Sequence, residues 1–155
     1  MALSAATLKS GLVAMLIPGQ ADPPGALASA FSSYMAQATA IITTNLATPK
    51  AAMAAAMTFS SDMTAAQGAA QFGAGCGAYW TAMAATPLLF FPSAVLINPA
   101  PTATMVASLT ADFPANTSAS LSHDAAMSAL ATSMHGGTVS LGTWKTLLGP
   151  LTPIV

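Results

Sequence analysis

The chain has 155 residues, 54 % hydrophobic and 5 % charged, with three lysines, four aspartates, no arginine, no glutamate and a net charge of -1. An ordinary soluble domain is about one quarter charged, so polar surface here has to come from Ser, Thr, Asn and Gln interspersed with Ala. The apolar content excludes intrinsic disorder. The wide separation of Lys9, Lys50 and Lys145 excludes a nucleic-acid surface, which is built from clustered Lys and Arg.

Leu8, Leu12, Met15 and Leu16 recur at helical spacing and Pro18-Gly19 ends the pattern, which predicts a first amphipathic helix from about Ser4 to Ile17. Lys9, the apolar run to Ile17 and Pro18-Gly19-Gln20-Ala21 imitate an export signal. The single charge comes late and the run is short, so the segment reads as a helix of the fold. Asp22-Pro23-Pro24-Gly25 reads as a turn. A second helix of about five turns follows, with Leu27, Phe31, Met35, Ala38, Ile42 and Leu46 on one face. Thr48-Pro49 resembles a cap and first-turn proline opening a short helix through Met53 and Met57.

Ser60-Ser61-Asp62 offers the next cap, and Phe72, Cys76, Tyr79, Trp80 and Met83 share a helical face running to about Ala85. Gly68, Gly73, Gly75 and Gly77 lie within that stretch. They predict either close backbone approach or a break near Gly73 to Gly77, since each glycine costs roughly 1 kcal/mol in a helix. Leu88 to Ile97, bounded by Pro87 and Asn98-Pro99-Ala100-Pro101, reads as an extended buried connection, or as a patch docked on a neighbouring subunit. Met105, Leu109 and Phe113 mark a helix stopped by Pro114. Ser120 or Ser122 then caps a helix carrying Ala126, Leu130 and Met134, which ends at His135-Gly136-Gly137. Residues 138–155 read as a short strand or extended arm anchored by Trp144, Leu147 and Leu148.

The fold class expected is mainly α: one domain over 1–155, a compact bundle of about five or six helices with a short extended segment and an extended C-terminal arm at 138–155. Short helix, loop and longer helix recur three times, so repeated helical hairpins compete with the plain similarity of Ala-rich helices.

The chemistry-bearing residues are few. His123 and Asp124 are neighbours, and neighbours on a helix point in different directions. Asp124 suits the first turn of a helix and His135 the last turn, both for the helix dipole. Cys76 stands alone, which excludes an intrachain disulfide and suits a small buried hydrophobe. One Cys and two His lack the convergence of a zinc site. Gly73-Ala74-Gly75-Cys76-Gly77 follows no predicted strand and precedes no Lys, so it fails as a phosphate loop. Asn116-Thr117-Ser118 matches a glycosylation acceptor by pattern and reads as a loop. No catalytic, cofactor-binding or metal-binding residue is expected, and no cofactor or small-molecule substrate.

The opening Met1-Ala2-Leu3-Ser4-Ala5-Ala6-Thr7-Leu8-Lys9 resembles the start of small virion proteins encoded in the structural-gene clusters of tailed bacteriophages. Phe113-Pro114-Ala115-Asn116-Thr117-Ser118, then Ala125-Ala126 to His135 and Thr138-Val139, resemble the same group. The resemblance implies a structural particle component made in the bacterial host cytoplasm and located in the virion. It transfers no functional residues. The expected function is a non-enzymatic accessory subunit of the neck, tail or baseplate, with copies of itself and other virion proteins as partners and no nucleic acid. A capsid decoration (cement) protein is the alternative within that class. A small membrane-associated or pore-forming protein using Met63 to Ile97 is the alternative outside it, disfavoured because Met63 to Pro87 contains no Leu, Ile or Val.

Overall fold

The computed structural model describes residues 3–38, 46–85, 94–96, 99–141, 143–146 and 152–153. Within them the architecture is mainly helical. Helix α1 (Ala5–Met15) is capped by Ser4, whose Oγ accepts from the Thr7 N–H at 3.2 Å. Gly19, with φ 78°, turns the chain after it. Helix α2 (Pro23–Met35) begins inside the segment expected as a turn: Asp22 accepts from the Gly25 N–H at 3.0 Å and the prolines occupy the first turn, where a missing N–H costs nothing.

Helix α2 closes at Met35 with Ala36 as its cap, short of the five turns its apolar spacing suggests. Ile42 lies outside the described residues, and Leu46 is instead the N-cap of α3 (Ala47–Ala56), with no side-chain cap bond. Thr48-Pro49 therefore sits within the first turn rather than at its cap.

Helix α4 (Ala65–Ala85) starts later than Ser60-Ser61-Asp62 proposes. Its cap is Thr64: Gln67 N–H donates to Thr64 Oγ1 at 3.2 Å and Thr64 N–H donates to Gln67 Oε1 at 2.8 Å, a reciprocal capping box. The helix runs unbroken through its four glycines, so close approach is the reading that holds. A Cβ on Gly73 would collide with Thr110 Oγ1, and one on Gly75 would lie 2.5 Å from Met57 Cγ.

Helix α5 (Pro99–Asn116) does not stop at Pro114 but carries it internally. Proline removes the bond to the Thr110 carbonyl. Pro114 faces solvent, and Thr117 closes the end by donating its backbone N–H (3.0 Å) and its Oγ1–H (2.8 Å) to the Phe113 carbonyl. Ser122 caps α6 (His123–Leu141), accepting from the Ala125 N–H at 3.2 Å, with Asp124 in the first turn. This helix passes through His135-Gly136-Gly137, where the sequence predicts its end. Part of the expected C-terminal arm is thus helix, and two short strands follow, β2 (Thr143–Thr146) and β3 (Thr152–Pro153). They form an antiparallel sheet in the order β1-β2-β3 with β1 (Ala94–Leu96), in which Val95 pairs with Lys145 and Trp144 with Thr152. The rest of the Leu88 to Ile97 run and of the arm, Leu147 and Leu148 included, lies outside the described residues.

Each helix packs against the next, and α6 returns against α1, which closes a ring. Helices α4 and α5 run antiparallel, with Gly68 facing Phe113 and Gly77 facing Val106. Ala-rich helices bury little area per residue, so the middle of the ring needs large side chains. Phe31 and Tyr34 from α2, Tyr79 and Trp80 from α4 and His135 from α6 supply them. Phe31 lies edge-on to Tyr79 at 4.8 Å between centroids and to Trp80 at 6.2 Å, joining helices that are not neighbours around the ring. Phe72 and Phe113 stack at 4.6 Å across the α4–α5 seam. Such pairs add about 0.5–1.5 kcal/mol beyond the area they bury.

Candidate functional site

The four side chains that the sequence makes candidates for chemistry lie on two elements, and no hydrogen bond among the described residues joins any two of them. Cys76 is inside α4, fully buried, and burial pushes its thiol up to about 12, so thiolate is scarce at neutral pH. His123 is exposed at the first position of α6. It borders an open groove of about 380 Å³ with Leu16, Ile17, Pro18 and Met127.

Asp124 accepts from Lys9 Nζ at 2.8 Å, which ties the start of α6 to α1. Both partners are substantially exposed, so the pair contributes little beyond its place in the first turn.

His135 is not in the last turn of α6, as its dipole role requires. It is half-buried about halfway along the helix's second half, with Nδ1 2.7 Å from the Tyr34 hydroxyl. Tyr34 is buried, and desolvation pushes its phenol up while a bond from Thr138 opposes the shift. The Tyr79 phenol is pushed up by burial in the same way, opposed by Ser32, whose Oγ lies 3.4 Å away. These polar atoms form a buried seam within the aromatic centre of the ring.

Neither the Tyr34–His135 pair nor the Lys9–Asp124 pair has a signal in the sequence, since the partners are 101 and 115 residues apart. Among the described residues no group of three His, Cys, Asp or Glu could hold a metal ion. The grooves are shallow. One of about 570 Å³ brings Lys50 near Asp22, Gln20 and Ser29, and another of similar size, between α5 and α6, is lined by Asn116, Ser128, Thr132 and Ser133.

The outward faces are more distinctive than any groove. On α4 the exposed positions are Ala65, Ala66, Gln67, Ala70, Ala74, Thr81 and Ala85, with no charge over the whole helix. On α5 they are Ala, Thr, Ser and Pro apart from Asp112. These faces are small in side chain and rich in methyl and hydroxyl groups. No known family, curated protein or solved structure matches the chain.

Proposed function

We propose that the protein is a non-enzymatic structural subunit of a tailed-phage virion, an accessory component of the neck, tail or baseplate that works through protein–protein interfaces. The observation that carries this reading is the outer face of α4, which bears no charge, beside that of α5, where Asp112 is the one charge among the exposed positions described. Burying such a face removes Ala methyls and Thr or Ser hydroxyls from water without stripping charges, whose desolvation offsets much of what an ion pair returns. Depletion of charge is also what marks the centre of interfaces between proteins. The near-neutral chain adds almost no mutual repulsion to oppose contact. The resemblance of the chain's opening to small virion proteins points to the particle in which these contacts are made. Among the described residues no helix is long and apolar enough to cross a membrane.

The test has two arms. Mass spectrometry of washed, purified particles should find the chain at fixed copy number, and its absence there sinks the virion reading. In the second arm Ala70→Glu with Ala74→Glu places two carboxylates on the exposed α4 face. Circular dichroism should show an intact fold while self-association or incorporation is lost. Normal assembly with both carboxylates present would show that this face is not used.

A further inference from the structure

Most large hydrophobic side chains of this ring are turned inward. Among the described residues two are exposed, Ile17 at 53 % and Leu121 at 38 %, and they belong to one corner. Ile17 lines an open groove of about 380 Å³ with Leu16, Pro18, Pro23, His123 and Met127, where the end of α1 meets the starts of α2 and α6. Leu121 lies two residues before His123. Both sit on turns that are held in place. The Gln20 N–H donates to the Ile17 carbonyl at 3.1 Å, Gln20 Nε2 donates to the Met15 carbonyl at 2.7 Å, and the Leu121 N–H donates to the Ser118 carbonyl at 3.0 Å. A knob on a fixed turn gives up little freedom when it is covered.

Single exposed hydrophobes need no explanation, but this pair has a complement on the same molecule. Along α4 the exposed row Ala66, Ala70 and Ala74, continued by Thr81 and Ala85, offers methyl-lined seats between small side chains, and no charge stands on the helix. Neutral surface matches neutral surface, because a charge set against it would lose its water and gain no partner. The charges that flank the corner are already engaged, Asp22 with the Gly25 N–H at 3.0 Å and Asp124 with Lys9 Nζ at 2.8 Å. Within one copy the two surfaces cannot meet. Among the helices, α1 packs on α2 and α6 and α4 packs on α3 and α5, so they lie on opposite sides of the ring.

We infer that the Ile17–Leu121 corner of one copy docks on the outer face of α4 of the next. This takes the α4 face to be an interface, as proposed above, and names what covers it. A contact between unlike surfaces is heterologous: after two copies pair, one free seat and one free corner remain, so further copies add head to tail into a closed ring or a filament. An isologous dimer through α4 alone would leave Ile17 and Leu121 in water.

Two interface variants, apart and mixed, test this. Ile17→Glu spoils the corner and keeps the seat, whereas Ala70→Glu with Ala74→Glu spoils the seat and keeps the corner. These positions are exposed, so circular dichroism should show intact folds, and Leu121→Glu is a second corner variant should Ile17→Glu misfold. In sedimentation velocity the unaltered chain should form species larger than dimers, and each variant alone should associate about a hundredfold more weakly, because its carboxylates would be buried unpaired. Mixed in equal amounts, the two variants should form one-to-one heterodimers and nothing larger, since each supplies the surface the other lacks. An unaltered chain that stays monomeric, corner variants that associate like the unaltered chain, or a mixture that stays monomeric would overturn this pairing. If in that case the α4 variant still fails to enter washed particles, the α4 face is in use with another occupant and the virion reading stands, whereas absence of the unaltered chain from those particles removes the virion reading itself.

Discussion

Gly73→Ala sets two effects of similar size against each other, and the structure says which wins. Alanine is favoured over glycine by about 1 kcal/mol in a helix interior. The new Cβ would collide with Thr110 Oγ1, and it would sit 3.4 Å from Thr110 Cβ and 3.6 Å from Val106 Cγ1. Only the hydroxyl contact is prohibitive. Thr110 is short and β-branched, so it has little freedom to turn away, and overpacking of this kind costs about 1–3 kcal/mol. The net expectation for Gly73→Ala is a loss of about 0–2 kcal/mol.

In a Thr110→Ala background the colliding oxygen is gone while the remaining contacts are tight or ordinary, so Gly73→Ala should there stabilise by up to about 1 kcal/mol. The coupling is measured by urea unfolding of the four members of the cycle, followed by circular dichroism. In a domain of this length 1 kcal/mol corresponds to about 2–4 °C in Tm. Gly68 and Gly77, whose added Cβ would find its nearest atoms at 3.7 and 3.5 Å, are internal controls expected to accept Ala with a gain. If Gly73→Ala stabilises equally in both backgrounds, the α4–α5 seam is looser than described and the close-approach account of this glycine fails.

Both tyrosines of the chain, Tyr34 and Tyr79, are buried with phenols pushed above their ordinary value of about 10. The buried Cys76 thiol is pushed up as well, so the unfolded chain binds fewer protons than the folded one from about pH 9: stability should fall by about 1.4 kcal/mol per pH unit from there for the thiol, and by as much again for each phenol above about pH 10. Phenolate absorbance should rise together with loss of helicity, and a rise in the folded protein at ordinary tyrosine pH would refute the burial of these rings. Cys76, with its thiol pushed up to about 12 and buried, should resist alkylation until denaturant unfolds the chain. Labelling of the native protein at the rate of a free thiol would place it on an accessible surface.

Which parts of the fold could be read in the sequence follows from the range of the interactions involved. Caps act within three residues, so Ser4, Asp22 and Ser122 could be located or nearly so, and the Thr64–Gln67 box was there to be found in its Thr-x-x-Gln spacing. The apolar faces of α4 and α6 are also local, and Phe72, Cys76, Tyr79, Trp80, Met83, Leu130 and Met134 are buried as their spacing predicts. The failures have both local and tertiary causes. Pro114 does not end α5, because its ring faces solvent and Thr117 closes the following turn onto the carbonyl of Phe113, the residue before the proline. Gly136-Gly137 does not end α6, because Gly137 packs closely against Met105 of α5 and Thr138 beyond it is fully buried. The end of α2 at Met35 was unreadable for a different reason: its apolar spacing continues past the helix, with nothing in Ala36-Gln37-Ala38 to mark a stop.

Small residues have opposite consequences on the two sides of this ring. On the inside, α3 buries only Pro49 and Met53 of its ten residues, so an Ala-rich helix contributes little apolar area. Stability is concentrated in the few large side chains at the centre, Phe31, Tyr34, Phe72, Tyr79 and Trp80, and in the polar seam beside them. On the outside, alanines leave the α4 face with little bulk and no charge, where neither long side-chain entropy nor ionic desolvation resists contact. The outer positions of α4 can therefore change without reaching the centre, while the central aromatics are committed to the fold. That separation lets assembly and folding be perturbed independently, since Ala70 and Ala74 are exposed whereas Phe72 and Cys76, on the same helix, are buried.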